Sequence, residues 1–406
     1  MMRTCNFMAV FLVSLLVLGC SPAPAADKPR YLEPSNETGT SRAVIVENVP
    51  LAHTAQLLPI DAEGRLVGKD QPTAQIEKVL DNLAVALGEA HSGLDRLVKL
   101  NVYVARPEVI QEAQKSFAKK FNGEARPAIC YVVSNLAEKD ALVALDAVAI
   151  VADESESSVK IIRSAKLGGP AGAHVAILPA GARVYVSGQA EKGQDLGEAT
   201  RKTLDSLRAT LKFLALNDAN VVQLKAFLTS AARADGVHQE VAKFFGDRPV
   251  PPLVFVEWQS ANLPIEIELI AYAGKEKAGE PIEYLTPPGL QASPVFSRVA
   301  RINHGSTIYL SGLTAAQAKN ATEEVHEVFG TLRGLLEKTG SDLRHLAKAT
   351  YYVTNLDASD KLNELRPRYY DQRRPPAASK AFVTGVETPG KGLMIDMIAV
   401  SVPRKQ

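Results

Sequence analysis

The chain has 406 residues, more than one hydrophobic core usually organises, and its 46% hydrophobic and 22% charged residues exclude the disordered and fibrous classes. Lys plus Arg (46) balances Asp plus Glu (45), so no broad basic surface, and no nucleic-acid partner, is expected on charge grounds. Three cysteines cannot frame a disulfide-stapled fold and the seven histidines show no metal-ligand spacing, so neither a metal nor another cofactor is expected.

Residues 1–20 carry one early positive charge, Arg3, an apolar run from Phe7 to Leu18, and the ending Val17-Leu18-Gly19-Cys20. The apolar core is shorter than the roughly 20 residues a membrane-crossing helix needs, and this shape belongs to export signals. It predicts a lipoprotein signal over 1–20, acylation at Cys20, and a Pro-rich tether over 21–40 that holds the folded body to a membrane of the bacterial cell envelope, facing the periplasm or exterior. Ordinary secretion, with cleavage near Ala25 or Ala26, is the competing expectation.

From there one unit recurs three times. Pro127, Pro251 and Pro376 are spaced by 251 − 127 = 124 and 376 − 251 = 125 residues, and the same two spacings relate Tyr103, Phe227 and Tyr352 as well as Leu80, Leu204 and Phe329. Composition shifts at 153–158 and 274–281 mark linkers, which gives units over 41–152, 158–275 and 282–405. In the first unit, strands are expected over 98–104 and 145–151. The second shows the whole order. A strand over 182–187 ends at Gly188; Leu204, Leu207, Leu211 and Leu214 form the stripe of an amphipathic helix; a strand over 222–228 and a helix over 237–245 follow, stopped by Pro249, Pro251 and Pro252; strands over 253–257 and 265–271 close it. The third unit repeats the pattern from 307–310 to 395–400. Each unit is thus predicted as an α+β layer of order β-α-β-α-β-β.

Tyr185-Val-Ser-Gly-Gln189, the Pro-rich turn and Ile265-Glu-Ile-Glu-Leu-Ile-Ala271, in that order, resemble the RidA (YjgF) family of enamine/imine deaminases. The third unit matches through Tyr309-Leu-Ser-Gly312, Asn363, Pro375-Pro-Ala-Ala-Ser379 and Ile395-Asp-Met-Ile-Ala-Val400; the first is the most diverged, with Thr54-Ala-Gln56 in place of Ser-Gly-Gln. The resemblance implies a chorismate-mutase-like fold. Because family members are homotrimers with ligand clefts between subunits, it also implies that three tandem units form an intramolecular pseudo-trimer, a monomer with internal three-fold arrangement.

The resemblance also says what chemistry to look for: an Arg that grips a substrate carboxylate and a Glu that handles water and protons. The Arg position holds Ile129, Leu253 and Ala378, and the Glu position holds Ala144, Glu266 and Met394. Glu266 is the remaining catalytic candidate, and at most one of Glu266 and Glu268 is expected to enter a given cleft. Ser187, Gly188, Ser311, Gly312 and Asn363 are the candidate ligand-binding residues. Arg248 is the first candidate to replace the lost guanidinium, ahead of Arg126 and Arg374. An apolar wall disfavours an unpaired carboxylate, so the expected function is binding of a small molecule with the deaminase chemistry lost. The alternative is a deaminase or related hydrolase still active in the second unit's cleft, where Leu253→Arg would be the restoring change. Cys130 is expected to be a buried, unreactive thiol, and Gly168-Gly-Pro-Ala-Gly172 a loop and not a phosphate cradle.

Overall fold

The computed structural model describes residues 28–121, 123, 125–152, 157–170, 172–260 and 262–402. The expected signal segment, Cys20, the start of the tether and most of the 153–158 linker lie outside the described residues. Among the described residues no helix is long and apolar enough to cross a membrane.

Each unit contributes two helices: α1 (Pro72–Glu89) and α2 (Glu108–Lys120), α3 (Leu196–Phe213) and α4 (Ala234–Phe245), α5 (Ala321–Lys338) and α6 (Leu356–Leu365). Local sequence sets their starts. Pro72 occupies the first turn of α1, where a missing N–H costs nothing, while Asp195, Asn320 and Asn355 cap α3, α5 and α6 by accepting a backbone N–H. The apolar stripe read from the Leu spacing is the buried face of α3, where Leu204, Leu207 and Leu211 pack on the sheet with Leu224 and Leu269. Within a unit the strand before the shorter helix and the strand after it are parallel, as in Val221–Leu228 with Leu253–Glu257, and the last strand, Ile265–Tyr272, returns antiparallel. Three such sheet-plus-helix units are present, so the predicted α+β class and the repeat hold.

The sheets contain strands that the sequence reading did not assign, and their pairing crosses between units. Ahead of each unit's first predicted strand stands a hairpin: Arg30–Ser35 with Thr40–Val46, Lys160–Ile162 with Val175–Leu178, and Ile282–Leu285 with Val299–Ile302. Four residues separate each hairpin from the next strand of its own unit, yet the chain does not fold back there. Thr40–Val46 pairs with Thr307–Leu310 of the third unit, Val175–Leu178 with Leu51–Thr54 of the first, and Val299–Ile302 with Arg183–Gln189 of the second. Every sheet is completed by another unit's hairpin, in a closed cycle.

Helices cover the outer face of each sheet, and the inner faces meet in a shared interior. Tyr103, Phe227 and Tyr352 form one layer there, with Cys130 and Trp258. Beside it lies a buried layer of charge. Lys99 Nζ reaches Asp396 Oδ1 at 2.7 Å and the carbonyl of Leu310, and Lys348 Nζ reaches Glu268 Oε2 at 2.5 Å, each pair joining two units. The third equivalent position is Gln223, which donates to the carbonyl of Thr54 instead; Asp146 is satisfied by Asn101 Nδ2 and the Tyr103 hydroxyl. A buried ion pair left intact is close to neutral in stability, but one partner alone is costly.

Candidate functional sites between the units

The exchanged hairpins place both Ser-Gly pairs against the segment after the next unit's prolines. Ser187 Oγ donates to the carbonyl of Ser297 at 2.5 Å and accepts the N–H of Ala378 at 2.7 Å; Ser311 Oγ donates to Ser41 O at 2.6 Å and accepts Ile129 N–H at 2.9 Å. Both hydroxyls therefore bridge units. In the first unit the register differs from the expectation. Leu57 bridges Leu145 just as Gln189 pairs with Ile267 and Leu313 with Ile395, so Ala55-Gln56, and not Thr54-Ala55, stand where the Ser-Gly pairs stand. The Thr54 hydroxyl instead accepts Ala147 N–H.

This arrangement separates residues that the sequence reading had put together. Ser187, Gly188 and Glu266 of the second unit face Ala378 of the third, whereas Leu253 of the second faces Gln56 of the first, whose N–H it accepts at 2.9 Å. Leu253→Arg would not act in the cleft that holds Glu266; the matching position is Ala378. A Cβ on Gly188 would fall 1.9 Å from Glu266 Oε1, so a larger residue here would displace the Glu266 side chain. The equivalent pairs are Gly312 with Met394 and Gln56 with Ala144, so a bulky residue on one side is met by a small one on the other.

Glu266 and Glu268 alternate on one strand and so share a face. Glu268 is in the charged layer, bound by Lys348 and by Ser379 Oγ at 2.6 Å. Burial pushes the Glu266 carboxyl up to about 7, against the pull of Ser379 and Lys348 and with the help of Glu268. The folded state therefore holds a proton that the unfolded chain releases near 4.5. The stability this contributes is full below pH 4.5 and is lost as pH rises through about 7. A rise of that size corresponds to about 3 kcal/mol. Glu266→Gln should match wild type in urea unfolding at pH 4.5 and exceed it by up to ~3 kcal/mol at pH 8. An equal difference at both pH values would contradict the buried, protonated carboxyl.

Across the cleft from Glu266, Ala378 and Lys380 point to the helix side of their strand. Lys380 Nζ bonds Ser359 Oγ at 2.9 Å and Asn363 Oδ1 at 3.1 Å, two neutral acceptors, and burial lowers its pKa, with Arg366 adding to the effect. Sequence reasoning passed over Lys380. Its signal was available, a lysine at the position filled by Tyr131 and Phe255 in the other units, on an otherwise small-residue strand.

The first–second cleft holds a cavity of about 430 Å³. Its walls include Leu57, Leu58, Ile60, Leu253 and Phe255, and Gly168, Gly169, Pro170 and Gly172 line one side. His238, at the position of Asn363, lies edge-on to Phe255 with centroids 5.0 Å apart; its Nδ1 has no partner, and burial lowers its pKa to about 4, leaving the ring neutral. His174 accepts Ser164 N–H through Nδ1, which puts its proton on Nε2 facing Gly168 O. Arg163 is the one Lys or Arg among the lining residues, and its guanidinium is held by the carbonyls of Pro170 and Gly172 at 2.7 and 2.5 Å. Glu63, Glu138 and Asp235 add negative charge to the walls.

In the third–first cleft Gly312 N–H bonds the carbonyl of Ile129, and Gln114 Nε2 donates to Glu387, whose carboxyl burial raises to about 7. Cys130 is buried, and that burial raises its thiol pKa. None of the three turn arginines is free to grip a ligand. Arg248 is held by Asp218 Oδ2 at 2.5 Å, Arg126 by Asn36 Oδ1 and the carbonyls of Gly123 and Ala125, and Arg374 by Glu280 and the Tyr284 ring.

The chain matches the family described as endoribonuclease L-PSP over residues 33–151, 167–273 and 289–401. It is 29% identical over 109 residues to a RutC family protein of Pyrococcus abyssi, covering 27% of this chain and 84% of that one. It is 24% identical over 120 residues to the RutC family protein UK114 of Drosophila melanogaster, covering 30% and 85%. Among solved structures it is similar to a YjgF family member of Neisseria meningitidis (22% identity, 30% of this chain and 96% of that chain, TM-score 0.23) and to a Rid family protein of Yersinia pestis (26%, 30% and 99%, TM-score 0.28). Each relative spans about one unit.

Proposed function

Because this chain belongs to the endoribonuclease L-PSP family, the RidA/YjgF group, as three tandem copies, we propose that it binds an uncharged, partly apolar small molecule in the first–second cleft and has lost the imine-deaminase chemistry that the resemblance implies. One observation carries the reading: a 430 Å³ cavity whose Arg position is Leu253, beside Phe255, and whose one Lys or Arg among the described lining residues is already bound to carbonyls. Burying a carboxylate there leaves its desolvation uncompensated, at a cost of at least ~1.4 kcal/mol, or tenfold. In calorimetric titration indole should bind at least tenfold more tightly than indole-3-carboxylate, about the factor that desolvation sets. Equal or reversed affinities would refute the proposal.

Glu266 supports a second reading, a hydrolase in the second–third cleft, since a buried carboxyl titrating near neutrality between two units suits proton transfer. With imines generated by an amino-acid oxidase, trace hydrolysis unaffected by Glu266→Ala favours the first reading. Family-like rates abolished by that substitution favour the second.

We also propose, from residues 1–20, that the protein is exported and tethered through acylated Cys20, with the three units forming a monomeric ring. Cys20→Ser should move it from the membrane fraction to the soluble one, and unchanged partitioning would exclude the lipid anchor.

A further inference from the structure

In the first–second cleft two side-chain amides are oriented alike. Asn82 of α1 is only 5% exposed and stands in the buried stripe with Val79, Leu83 and Ala86, yet it lines the cavity of about 430 Å³. Its Nδ2 donates to the carbonyls of Leu58 and Ile60, both at 2.9 Å. Gln56, which lines the same cavity at the place held by Gly188 and Gly312 in the other clefts, donates through Nε2 to the carbonyl of Phe255 at 2.8 Å. A carbonyl oxygen only accepts, so both amide nitrogens are turned to the wall. Asn82 Oδ1 and Gln56 Oε1 are left over, accessible and without a hydrogen-bond partner among the described residues.

The other polar side chains of the wall lean the same way. The His174 proton faces Gly168 O, and the Arg163 guanidinium is turned to the carbonyls of Pro170 and Gly172. The carboxylates of Glu63, Glu138 and Asp235 add acceptors. His238, held neutral by its burial, offers either one N–H or one lone pair. Both amides are particular to this cleft, because the repeat spacings put Ser206 and Thr331 at the position of Asn82. An amide oxygen kept unpaired in a largely apolar enclosure is costly until a donor meets it.

We propose that this cleft selects hydrogen-bond donors, and that its ligand is a neutral arylamine or amino-substituted heterocycle whose N–H groups meet Asn82 Oδ1 and Gln56 Oε1 while its ring lies against Leu253 and Phe255. The proposal rests on the reading of the cleft as a binding site for an uncharged small molecule, and it adds the polarity that molecule must show. A ligand of equal size that carries only acceptors finds no partner on either amide.

The test is calorimetric titration of the full chain in mildly alkaline buffer with a size-matched series: benzofuran without a donor, indanone with an acceptor alone, indole with one N–H, and 5-aminoindole with a second, uncharged donor group. Each added donor should tighten binding about fivefold, the worth of one neutral hydrogen bond, with benzofuran and indanone weakest. Gln56→Met and Asn82→Leu should each weaken 5-aminoindole by a similar factor and leave benzofuran unchanged, which controls for an intact cavity. Should either variant fail to fold, the series on the unaltered chain decides alone. Benzofuran or indanone binding as tightly as indole would overturn the donor preference, even where indole outbinds indole-3-carboxylate. If indole does not outbind its carboxylate, the underlying reading falls as well.

Discussion

Lys348→Met is expected to destabilise the chain by about 3–5 kcal/mol, because it strands Glu268 as an unpaired carboxylate between two units. Lys348 and Glu268 are each less than a tenth exposed, and the Met side chain fills the space without supplying a proton or a charge. Ser379 remains as a donor to Glu268 but cannot offset the charge. The double variant Lys348→Met/Glu268→Leu should recover most of the loss, since an apolar pair of similar volume avoids the desolvation altogether. Equilibrium urea unfolding of the four proteins in the cycle measures the coupling directly. If the single variant loses less than 1 kcal/mol, or the double variant loses as much as the single one, the layer does not bear on stability as its geometry indicates.

The second large effect concerns the clefts. Ala378→Arg should introduce a guanidinium in the cleft that holds Ser187, Gly188 and Glu266. A charge-assisted bond of about 1.5–3 kcal/mol predicts a gain of roughly ten- to hundredfold in affinity for a small 2-oxo acid over wild type. Leu253→Arg lies in another cleft, beside the acidic Glu63, Glu138 and Asp235, and should give a smaller gain that is insensitive to Glu266→Ala. Titration calorimetry on the two variants decides it: a larger gain from Leu253→Arg would mean that the pairing of units in solution differs from the one described.

How much of this was legible beforehand depends on what a repeat can encode. The Leu stripe of α3, the proline turns and the 124- and 125-residue spacings fix three α+β units, because periodicity reports which face of an element is buried. Periodicity does not report which copy a strand pairs with. The alternation in Thr40–Val46 suits its own unit and the third equally well, so the exchange of hairpins was invisible. The one-residue shift at Ala55-Gln56 was hidden by Thr54, which resembles Ser, and by the bulge that follows it. The buried charged layer did leave a trace. Lys99, Gln223 and Lys348 carry the same spacings as the prolines and interrupt otherwise apolar strands, and a charged residue in such a strand signals a paired interior. Glu266 was found from its motif, but its partners could be named only once the units were arranged.

The exchanged hairpins also set a timetable. Thr40–Val46 leaves the ribosome well before its partner, Thr307–Leu310, which belongs to the third unit. Until the third unit emerges, that early hairpin is an unpaired edge, and the circle of sheets stays open. Closure therefore waits for the third unit, and the clasp joins the first unit's hairpin to it. A chain cut short before residue 307 keeps its unsatisfied edge permanently, which makes an incomplete product distinguishable from a finished one by a protease that attacks loose strands.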